Sequence, residues 1–475
     1  MVRELRVWLL AASLLSLSAG QAFAVDAGPD PRLVNPIGLG PNYTGPVRAG
    51  MGITHTDTAF GFKAGDFIIQ PRFLFENEFV SNFFKVDTRN DQTEEIPAFT
   101  FHLRPGVGIH NPSAKALKLR FSTDVDVFLP ASSSKSVTNQ ANVGLALNAG
   151  VSYTIKRLMS FRLNEQFTRD LLIRALSASG GSSNRNRNSL GADIIFHPGG
   201  GALEFELGYA WNALLYDSLT QLNYHEHRLG FKASWRFLPL SYLFLDTRFS
   251  VHDYMQDRTE QEKDSSAAGN RPNGMPFKVY AGFSGYLTTR IAVMLRLGYG
   301  NSLLEEGENF SSFIGDARVS FRFSPRTALH VGGGRDFNLA GLGGYVDMTR
   351  TFVSFEQSIA DLILLHVDLG FDYRYYGAWE PAVVETEING TISRTTSSTN
   401  ARHRQDFVLR AGLLADFEFS RLFGLSFGYR FEADLTDYAV TTTTANLNSG
   451  SVSSPVTTFQ GYMDHRLFLT LNLRY

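Results

Sequence analysis

The chain has 475 residues, of which 43% are hydrophobic, 19% are charged and 13% are aromatic, a composition too apolar for a disordered protein. Its 44 basic and 46 acidic residues nearly cancel, which gives no electrostatic footprint for nucleic acid, so no nucleic-acid partner is expected. The absence of cysteine excludes disulfides, thiolate metal sites and cysteine nucleophiles, and it suits a chain that crosses an oxidising periplasm.

The first 24 residues have the pattern of a secretory signal peptide. Arg3 and Arg6 provide a charged start, residues 7–17 form a short apolar run, and Ala22-Phe23-Ala24 fits the small-x-small rule for cleavage. A transmembrane helix would need about 20 apolar residues, and Gly20 interrupts the run early. We therefore predict a signal peptide over residues 1–24, cleaved after Ala24.

Residues 25–64 are rich in proline and glycine and show little alternation of apolar and polar side chains. They are predicted to be an N-terminal periplasmic segment or a plug that folds into the mouth of the following domain. No later stretch is long and apolar enough to cross a bilayer as a helix. If the chain is integral to a membrane, it must therefore cross as a closed barrel.

From residue 65 onward, apolar side chains recur at every second position in runs of about ten, the spacing of strands whose two faces meet different solvents. In the last run, Leu469, Leu471 and Leu473 share one face, while Thr470 and Asn472 occupy the other. Eighteen such runs are predicted as strands, at 66–82, 98–109, 116–129, 141–155, 159–170, 188–197, 202–213, 225–237, 241–254, 276–287, 290–300, 312–323, 326–337, 345–357, 362–376, 405–419, 422–437 and 461–475.

The connections between these strands alternate between short turns, such as Ser324-Pro325, and longer loops, such as 377–404. Outer-membrane barrels combine short periplasmic turns with longer extracellular loops, and an even strand number places both termini in the periplasm. The predicted fold class is all-β, a single closed transmembrane antiparallel β-barrel of about 18 strands over residues 65–475. A soluble β-sandwich or propeller is the alternative, but it would not require short and long connections to alternate.

The face opposite the apolar one carries charges of both signs, and a barrel of this size can enclose an aqueous channel. These side chains either form salt bridges that hold the wall, which is ordinary cross-strand pairing, or line a path for a hydrophilic solute. Mixed signs do not indicate strong selectivity for small ions, whereas a neutral or weakly charged polymer could form hydrogen bonds along such a wall. The lumen-lining candidates are Arg72, Lys118, Arg120, Asp124, Asp126, Arg162, Glu204, Glu206, Arg228, Lys232, Arg236, Asp246, Arg248, Arg296, Arg318, Arg322, Asp368, Asp372, Arg374, Arg410, Arg430, Glu432, Asp434 and Arg466.

Aromatic residues near the predicted strand ends are interpreted as girdles at the membrane interfaces, among them Tyr209, Trp235 and Tyr299. His225-Glu226-His227 lacks the helical spacing of a zinc protease motif, and no Ser, His and acid grouping is visible. Gly332-Gly333-Gly334 lacks the strand–helix context of a phosphate loop and is expected to bend a strand or make room. No enzymatic activity, metal or cofactor is therefore expected.

The terminal segment resembles the assembly signal of outer-membrane barrels, which ends in an aromatic residue; its outer face carries Leu467, Leu469, Leu471, Leu473 and Tyr475. The first hairpin, through residues 65–71, Asn77, 81–84 and 104–107, resembles barrel porins associated with exopolysaccharide systems, such as myxobacterial capsule and spore-coat systems. The resemblance implies a barrel of about 18 strands that completes polysaccharide export with a periplasmic export protein. No tetratricopeptide repeats precede the barrel, so that partner is expected to be a separate chain.

These observations lead to the hypothesis of an integral outer-membrane channel of a Gram-negative bacterium that translocates a secreted polysaccharide. Outer-membrane lipid and the barrel assembly machinery are its expected partners. Two alternatives stay open: a general diffusion porin for small hydrophilic solutes, and a structural or adhesive barrel with a plugged lumen.

Overall fold

The structure is a computed structural model. It describes residues 61–89, 94–111, 116–155, 158–170, 184–198, 201–217, 223–255, 273–305, 307–340, 344–360, 362–377, 384–388, 391–397, 404–420, 422–436, 439–446, 451–452, 456–459 and 461–474. The predicted signal peptide, the N-terminal segment before residue 61 and Tyr475 lie outside the described residues.

Eighteen long antiparallel strands dominate the fold. They are β2 (Phe67–Val80), β3 (Ala98–His110), β4 (Leu117–Ala131), β5 (Asn142–Ile155), β6 (Met159–Asp170), β7 (Arg185–Phe196), β8 (Leu203–Tyr216), β9 (Tyr224–Leu238), β10 (Ser241–Tyr254), β11 (Phe277–Thr288), β12 (Ile291–Asn301), β13 (Ser311–Ser324), β14 (Thr327–Leu339), β15 (Tyr345–Ile359), β16 (Ile363–Tyr376), β19 (Gln405–Glu418), β20 (Phe423–Thr436) and β24 (Tyr462–Arg474). The short strand β1 (Phe62–Ala64) precedes them, and β17 (Val384–Ile388), β18 (Thr391–Ser397), β21 (Ala439–Asn446), β22 (Ser451–Val452) and β23 (Val456–Phe459) lie in two long loops.

The long strands close into a barrel. Each one pairs with its neighbours in chain order, and β2 pairs with both β3 and the last strand β24, for example through Phe75↔Leu471. The main sheet has 19 strands because β1 adds a short hairpin to β2, and the other 18 form the closed ring. The predicted all-β closed antiparallel barrel is confirmed, and every predicted long strand is present.

The two faces of the barrel differ as the alternation predicts, because successive side chains of a strand point to opposite faces. The outward face is apolar and exposed, as in Leu297, Phe313 and Leu369, which are 64%, 80% and 55% exposed. The inward face carries most of the buried polar residues, such as Asp246, Asp372 and others on the same parity. An exposed apolar cylinder of this kind is suited to a lipid environment.

Three features depart from the sequence-based expectations. Strand β1 lies inside the predicted N-terminal segment, since Phe62–Ala64 pairs with the start of β2. The long loops 377–404 and 438–460, which lie between predicted strands, contain a second sheet of five short strands in their described residues. A four-residue helix, α1 (Lys135–Thr138), lies in the loop between β4 and β5.

Aromatic rings on the inward face lie over glycines of the neighbouring strand. A Cβ added at Gly428 would overlap the ring of Phe468, and one at Gly332 would lie 2.6 Å from the ring of Phe352. These glycines therefore make room for the rings, and in the second case the structure agrees with the sequence-based interpretation.

Replacing Gly428 with Ala should destabilise the barrel by about 1 to 3 kcal/mol, because the added methyl group collides with a packed ring. Gly424 on the same strand and face is a matched control, since a Cβ there would meet only the Phe417 carbonyl oxygen, at 3.5 Å. Denaturant unfolding in lipid vesicles measures both variants. Phe468→Leu should relieve the cost of Gly428→Ala, and equal costs for Gly424→Ala and Gly428→Ala would contradict the steric explanation.

Candidate functional site: the inner wall and the mouth of the barrel

The inward face is concave, as contacts across several strands show. Arg72 on β2 pairs with Asp124 on β4, with β3 lying between. Lys278 on β11 donates to Asp336 on β14 at 2.7 Å, three strands away. By strand register, the lumen-lining candidates all lie on the parity of these residues and opposite the exposed apolar face. Their contact with a solute stays a prediction.

Ion pairs connect many of these candidates. Arg104 contacts both Glu76 and Asp126, at 3.0 and 3.1 Å, and the Asp126 carboxylate also lies 2.9 Å from His102. Further pairs join Arg162 to Glu206, Arg228 to Glu226, Arg248 to Asp246, Arg296 to Asp316, Arg466 to Asp464 and Glu78, and Arg474 to Glu418. At most of these positions, cross-strand pairing holds the wall together.

Some wall charges nevertheless reach solvent. The side chains of Arg72 and Arg162 are 42% and 39% exposed although both point inward. Partly exposed guanidinium groups need water around them. The inner wall is therefore a hydrated, mixed-charge surface.

Aromatic rings hold several of the wall arginines in place. The guanidinium carbon of Arg296 lies 4.6 Å from the Tyr280 ring centre, that of Arg318 lies 5.4 Å from Phe352, and that of Arg430 lies 5.4 Å from Phe468. Each of the rings of Phe352 and Phe468 thus lies against both a glycine of the neighbouring strand and a guanidinium group. These rings therefore position arginines rather than offer free stacking surfaces.

No family model matches the chain, and no curated protein matches it. Several solved structures are similar to it. The siderophore receptor PirA from Pseudomonas aeruginosa is 7% identical, with 86% of this chain and 80% of that chain covered and a TM-score of 0.42. Acinetobacter baumannii OccAB4 is 9% identical, with coverages of 86% and 98% and a TM-score of 0.45. The FrpB iron transporter from Neisseria meningitidis is 8% identical, with coverages of 88% and 83% and a TM-score of 0.39. At these identities, the likeness concerns the barrel fold alone.

The first long loop folds into the barrel mouth through residues 81–89. Asn82 is fully buried and donates to the carbonyl oxygens of Val86 and Met463, at 2.7 and 3.1 Å. Lys85 donates to Glu432 at 3.1 Å and to the Tyr462 hydroxyl at 3.3 Å. Glu432 and Tyr462 belong to the inward parity of β20 and β24, so this loop lies on the lumen side of the wall.

A small apolar core fixes the same loop on the other side. Phe83, Ala98, Phe128 and Val137 are each at most 2% exposed and pack together. Phe128 lies on the inward parity of β4, and Val137 belongs to helix α1. The loop therefore contacts the inner faces of β3 and β4 as well as those of β20 and β24.

The tip of the β14–β15 hairpin, described at residues 336–340 and 344–345, also bends inward. Strand β14 stops pairing with β13 at Gly315↔Arg335, yet it pairs with β15 as far as Leu339↔Tyr345. Past this point, the Phe337 carbonyl accepts a hydrogen bond from Lys278 at 2.5 Å, and the Ala340 carbonyl accepts one from Tyr254 at 3.4 Å. Lys278 and Tyr254 are inward side chains of β11 and β10, so this hairpin tip lies against the inner wall.

Apolar packing fastens the hairpin tip. Phe337 is fully buried and stacks on Phe310 with ring centres 4.3 Å apart. The cluster also contains Tyr280, Leu304, Ile314 and Tyr345. By strand parity Phe337 belongs to the outward face of β14, and the inward bend turns that face onto β12 and β13.

The first loop and the hairpin tip occupy opposite sides of the mouth. The loop contacts β24, β3 and β4, around β2, whereas the hairpin tip contacts β10 to β13. In the ring of 18 strands, β11 lies nine steps from β2 in either direction. Two segments therefore narrow the same mouth of the barrel from opposite walls.

A low pH should destabilise the folded conformation of the first loop. Burial raises the pKa of Asp87, but hydrogen bonds from the Arg89 side chain and backbone outweigh it, and the resulting pKa is below the usual value. A carboxyl with a lowered folded-state pKa stabilises the fold above its unfolded pKa and loses that contribution as pH falls through the folded pKa. Hydrogen exchange of residues 81–89, corrected for intrinsic rates, should therefore accelerate below about pH 4. Asp87→Asn should remove this acid step, and an unchanged step in that variant would contradict the assignment.

His225-Glu226-His227 does not form one site, because its side chains alternate between the faces. His225 stacks on Trp211 and His227 lies 2.7 Å from the Tyr209 hydroxyl on the outer face, whereas Glu226 pairs with Arg228 inside. Among the described residues, no group of three or more His, Asp or Glu could hold a metal ion. Within the same residues, no helix has the length and apolar character needed to cross a membrane.

Proposed function

We propose that this protein is an outer-membrane channel through which a hydrophilic solute crosses, and that the solute is a secreted polysaccharide. The observation that carries the proposal is the division of the closed barrel into an exposed apolar outer face and a charged inner face with partly solvent-exposed guanidinium groups. A cylinder with these faces is stable in a bilayer and encloses a polar conduit. Its insertion would rely on the barrel assembly machinery, which would bind the outward leucines of β24, Leu467, Leu469, Leu471 and Leu473.

The polymer is suggested by the balance of charge on the wall and by the resemblance of the first hairpin to exopolysaccharide-associated porins. Most wall charges are neutralised by partners, so the wall offers hydrogen-bonding groups with little net charge over most of its area. A long, neutral or weakly charged chain could slide along such a surface. A separate periplasmic export protein would deliver it.

General diffusion of small solutes is the second candidate, favoured by the partly exposed charges of Arg72 and Arg162. The inward-folded first loop and hairpin tip oppose a permanently wide pore. Planar-bilayer recordings separate the two functions. A large, stable conductance from the purified protein alone favours the porin, whereas a small or rare conductance favours a channel opened by its partner or polymer.

Deletion of the gene tests the export function directly. Surface polysaccharide should disappear while the polymer is still synthesised and accumulates inside the envelope, and the wild-type gene should restore export. A gene encoding Leu414→Arg, an inward substitution expected to preserve the barrel, is introduced into the deletion strain in parallel. It shows whether a changed charge on the inner wall alters export by a barrel that still folds. Unchanged surface polysaccharide in the deletion strain would refute polysaccharide export.

A further inference from the structure

Three arginines of the inner wall converge on one carboxylate oxygen. The Oδ2 atom of Asp372 on β16 lies 3.7 Å from Arg350 Nε on β15 and 3.5 Å from Arg374 Nη2. Arg410 on β19 contacts the same oxygen. The Asp372 side chain is only 4% exposed. One carboxylate therefore serves three guanidinium groups.

Two of these guanidinium groups have unused donors. The Nε atoms of Arg350 and Arg374 are buried and make no hydrogen bond to any described residue. Arg350 Nη2 donates to the sulfur of Met348 at 3.2 Å, and a thioether is a weak acceptor. Planar guanidinium groups with unfilled donors are suited to a second oxyanion.

Neighbouring carboxylates do not supply the missing charge, because they have cationic partners of their own. Asp336 pairs with Lys278 at 2.7 Å, Glu432 with Lys85 at 3.1 Å, and Asp406 with Arg404 at 2.8 Å. Asp434 lies two strands from Asp372 and within electrostatic range of Arg374. With these partners counted, six cations, Arg350, Arg374, Arg410, Lys278, Lys85 and Arg404, face five carboxylates, Asp372, Asp434, Asp336, Glu432 and Asp406.

The strand beside Arg410 leaves space next to this cluster. Arg410 pairs in register with Gly370, whereas at Gly334, opposite Arg350, a Cβ would lie 2.5 Å from Asp316 Cβ. A Cβ added at Gly370 would approach only Arg410 Cβ and the Thr351 carbonyl, both at 3.9 Å. The backbone at that position therefore carries no side chain that would cover the arginines from the lumen.

We propose that Arg350, Arg374 and Arg410 form a subsite for an oxyanion group on the solute, a carboxylate, sulfate or phosphate. This inference rests on the proposed function in one respect, that the solute passes through the lumen. The oxyanion would accept the donors that Asp372 leaves unfilled, while Asp372 keeps the three side chains together. The solute class thereby narrows to a polar molecule with anionic substituents.

Equilibrium dialysis of the folded, detergent-solubilised protein against labelled sulfate tests the subsite without requiring conduction. Loss of one charge-assisted hydrogen bond should weaken binding roughly tenfold, so Arg350→Gln, Arg374→Gln and Arg410→Gln are each expected to do so. Arg410→Lys should give an intermediate loss. Arg169→Gln is the control, because Arg169 has the outward parity of β6 and pairs with Asp217 at 2.6 Å.

Asp372→Asn gives the sharpest result, since it removes the competing negative charge while its amide oxygen still accepts hydrogen bonds from the arginines. It should strengthen sulfate binding or leave it unweakened, whereas a purely structural role for the cluster predicts that it behaves like the arginine variants. Heat-modifiable electrophoretic migration verifies that each variant is folded. Absence of sulfate binding by the wild-type protein, or equal binding by the wild type and all three Arg→Gln variants, would overturn the proposal.

Uptake by vesicles containing the protein distinguishes the source of the oxyanion. Glucuronate, glucose 6-sulfate and glucose 6-phosphate are compared with glucose, and the preference for the anionic sugars should fall in Arg350→Gln but not in Arg169→Gln. Sulfate binding without uptake of any sugar would retain the subsite and contradict the channel function. Uptake with no anion preference in the wild type would retain the channel and reject the subsite as a selectivity element.

Discussion

A variant in which Asn-Gly replaces residues 337–346 should carry roughly twofold more current per open channel than the wild-type protein, because conduction depends on the width and lining of the pore. The deletion removes Phe337 and Tyr345, which fasten the hairpin tip to the inner wall, but retains Asp336 and its ion pair with Lys278. The shortened strands can still pair through Asp336↔Met348. Planar-bilayer recordings of single channels measure the effect.

Two point variants on β14 separate narrowing from general damage. Phe337→Ala removes the ring that stacks on Phe310, so it should release the hairpin tip and increase current fluctuations. Val331→Ala shortens an outward side chain of the same strand that is 39% exposed, and its recordings should match those of the wild type. If the deletion leaves conductance unchanged, the hairpin tip does not narrow the conducting path.

The long strands could be predicted from the sequence because lipid and water impose opposite demands on alternate residues. β6 and β10 have the predicted bounds, 159–170 and 241–254. Strand ends shift where the pattern weakens; β7 begins at Arg185 rather than at 188, since Arg185 and Arg187 belong to the inward face outside the apolar run. A period of two thus determines the barrel and its faces.

The narrowing of the mouth could not be predicted in the same way. The alternation assigns Phe337 and Tyr345 to the same face as Val331. It does not indicate whether the hairpin stays in the wall or bends inward. Asn82 and Lys85 are polar loop residues whose partners lie hundreds of positions away, at Met463, Glu432 and Tyr462. Such contacts depend on closure of the ring, which no local pattern encodes.

The arginine cluster could be predicted from the sequence only in part. The alternation places Asp372, Arg374 and Arg410 on the inward face, and all three were candidates. Arg350 was missed because polar Thr349 and Thr351 flank it and obscure the contrast between faces, although Val353 and Phe355 on the same strand carry the parity signal. Which carboxylate three arginines share depends on rotamers and on strand register, neither of which the sequence reveals.

Two neighbouring leucines of β19 provide the most direct test of which face meets lipid. Leu413 is 42% exposed and points outward, whereas Leu414 has the opposite parity and lies across from His366 and Gly428 on the inner wall. Leu413→Arg should destabilise the barrel by about 2 to 4 kcal/mol, the cost of a lipid-facing arginine near the bilayer midplane. Leu414→Arg should cost much less, because its guanidinium group enters a hydrated wall within two positions of Asp416.

Unfolding of both variants by guanidinium chloride in lipid vesicles gives their two free energies of unfolding. The two substitutions lie at matched depth and make the same change of side chain. Heat-modifiable migration during electrophoresis offers an independent check, since unfolded Leu413→Arg protein should accumulate while Leu414→Arg protein stays folded. The sign of the difference decides the orientation of the wall. If Leu414→Arg were the more damaging substitution, the charged face would be the one in contact with lipid or packed dry, and a water-filled conduit would be untenable.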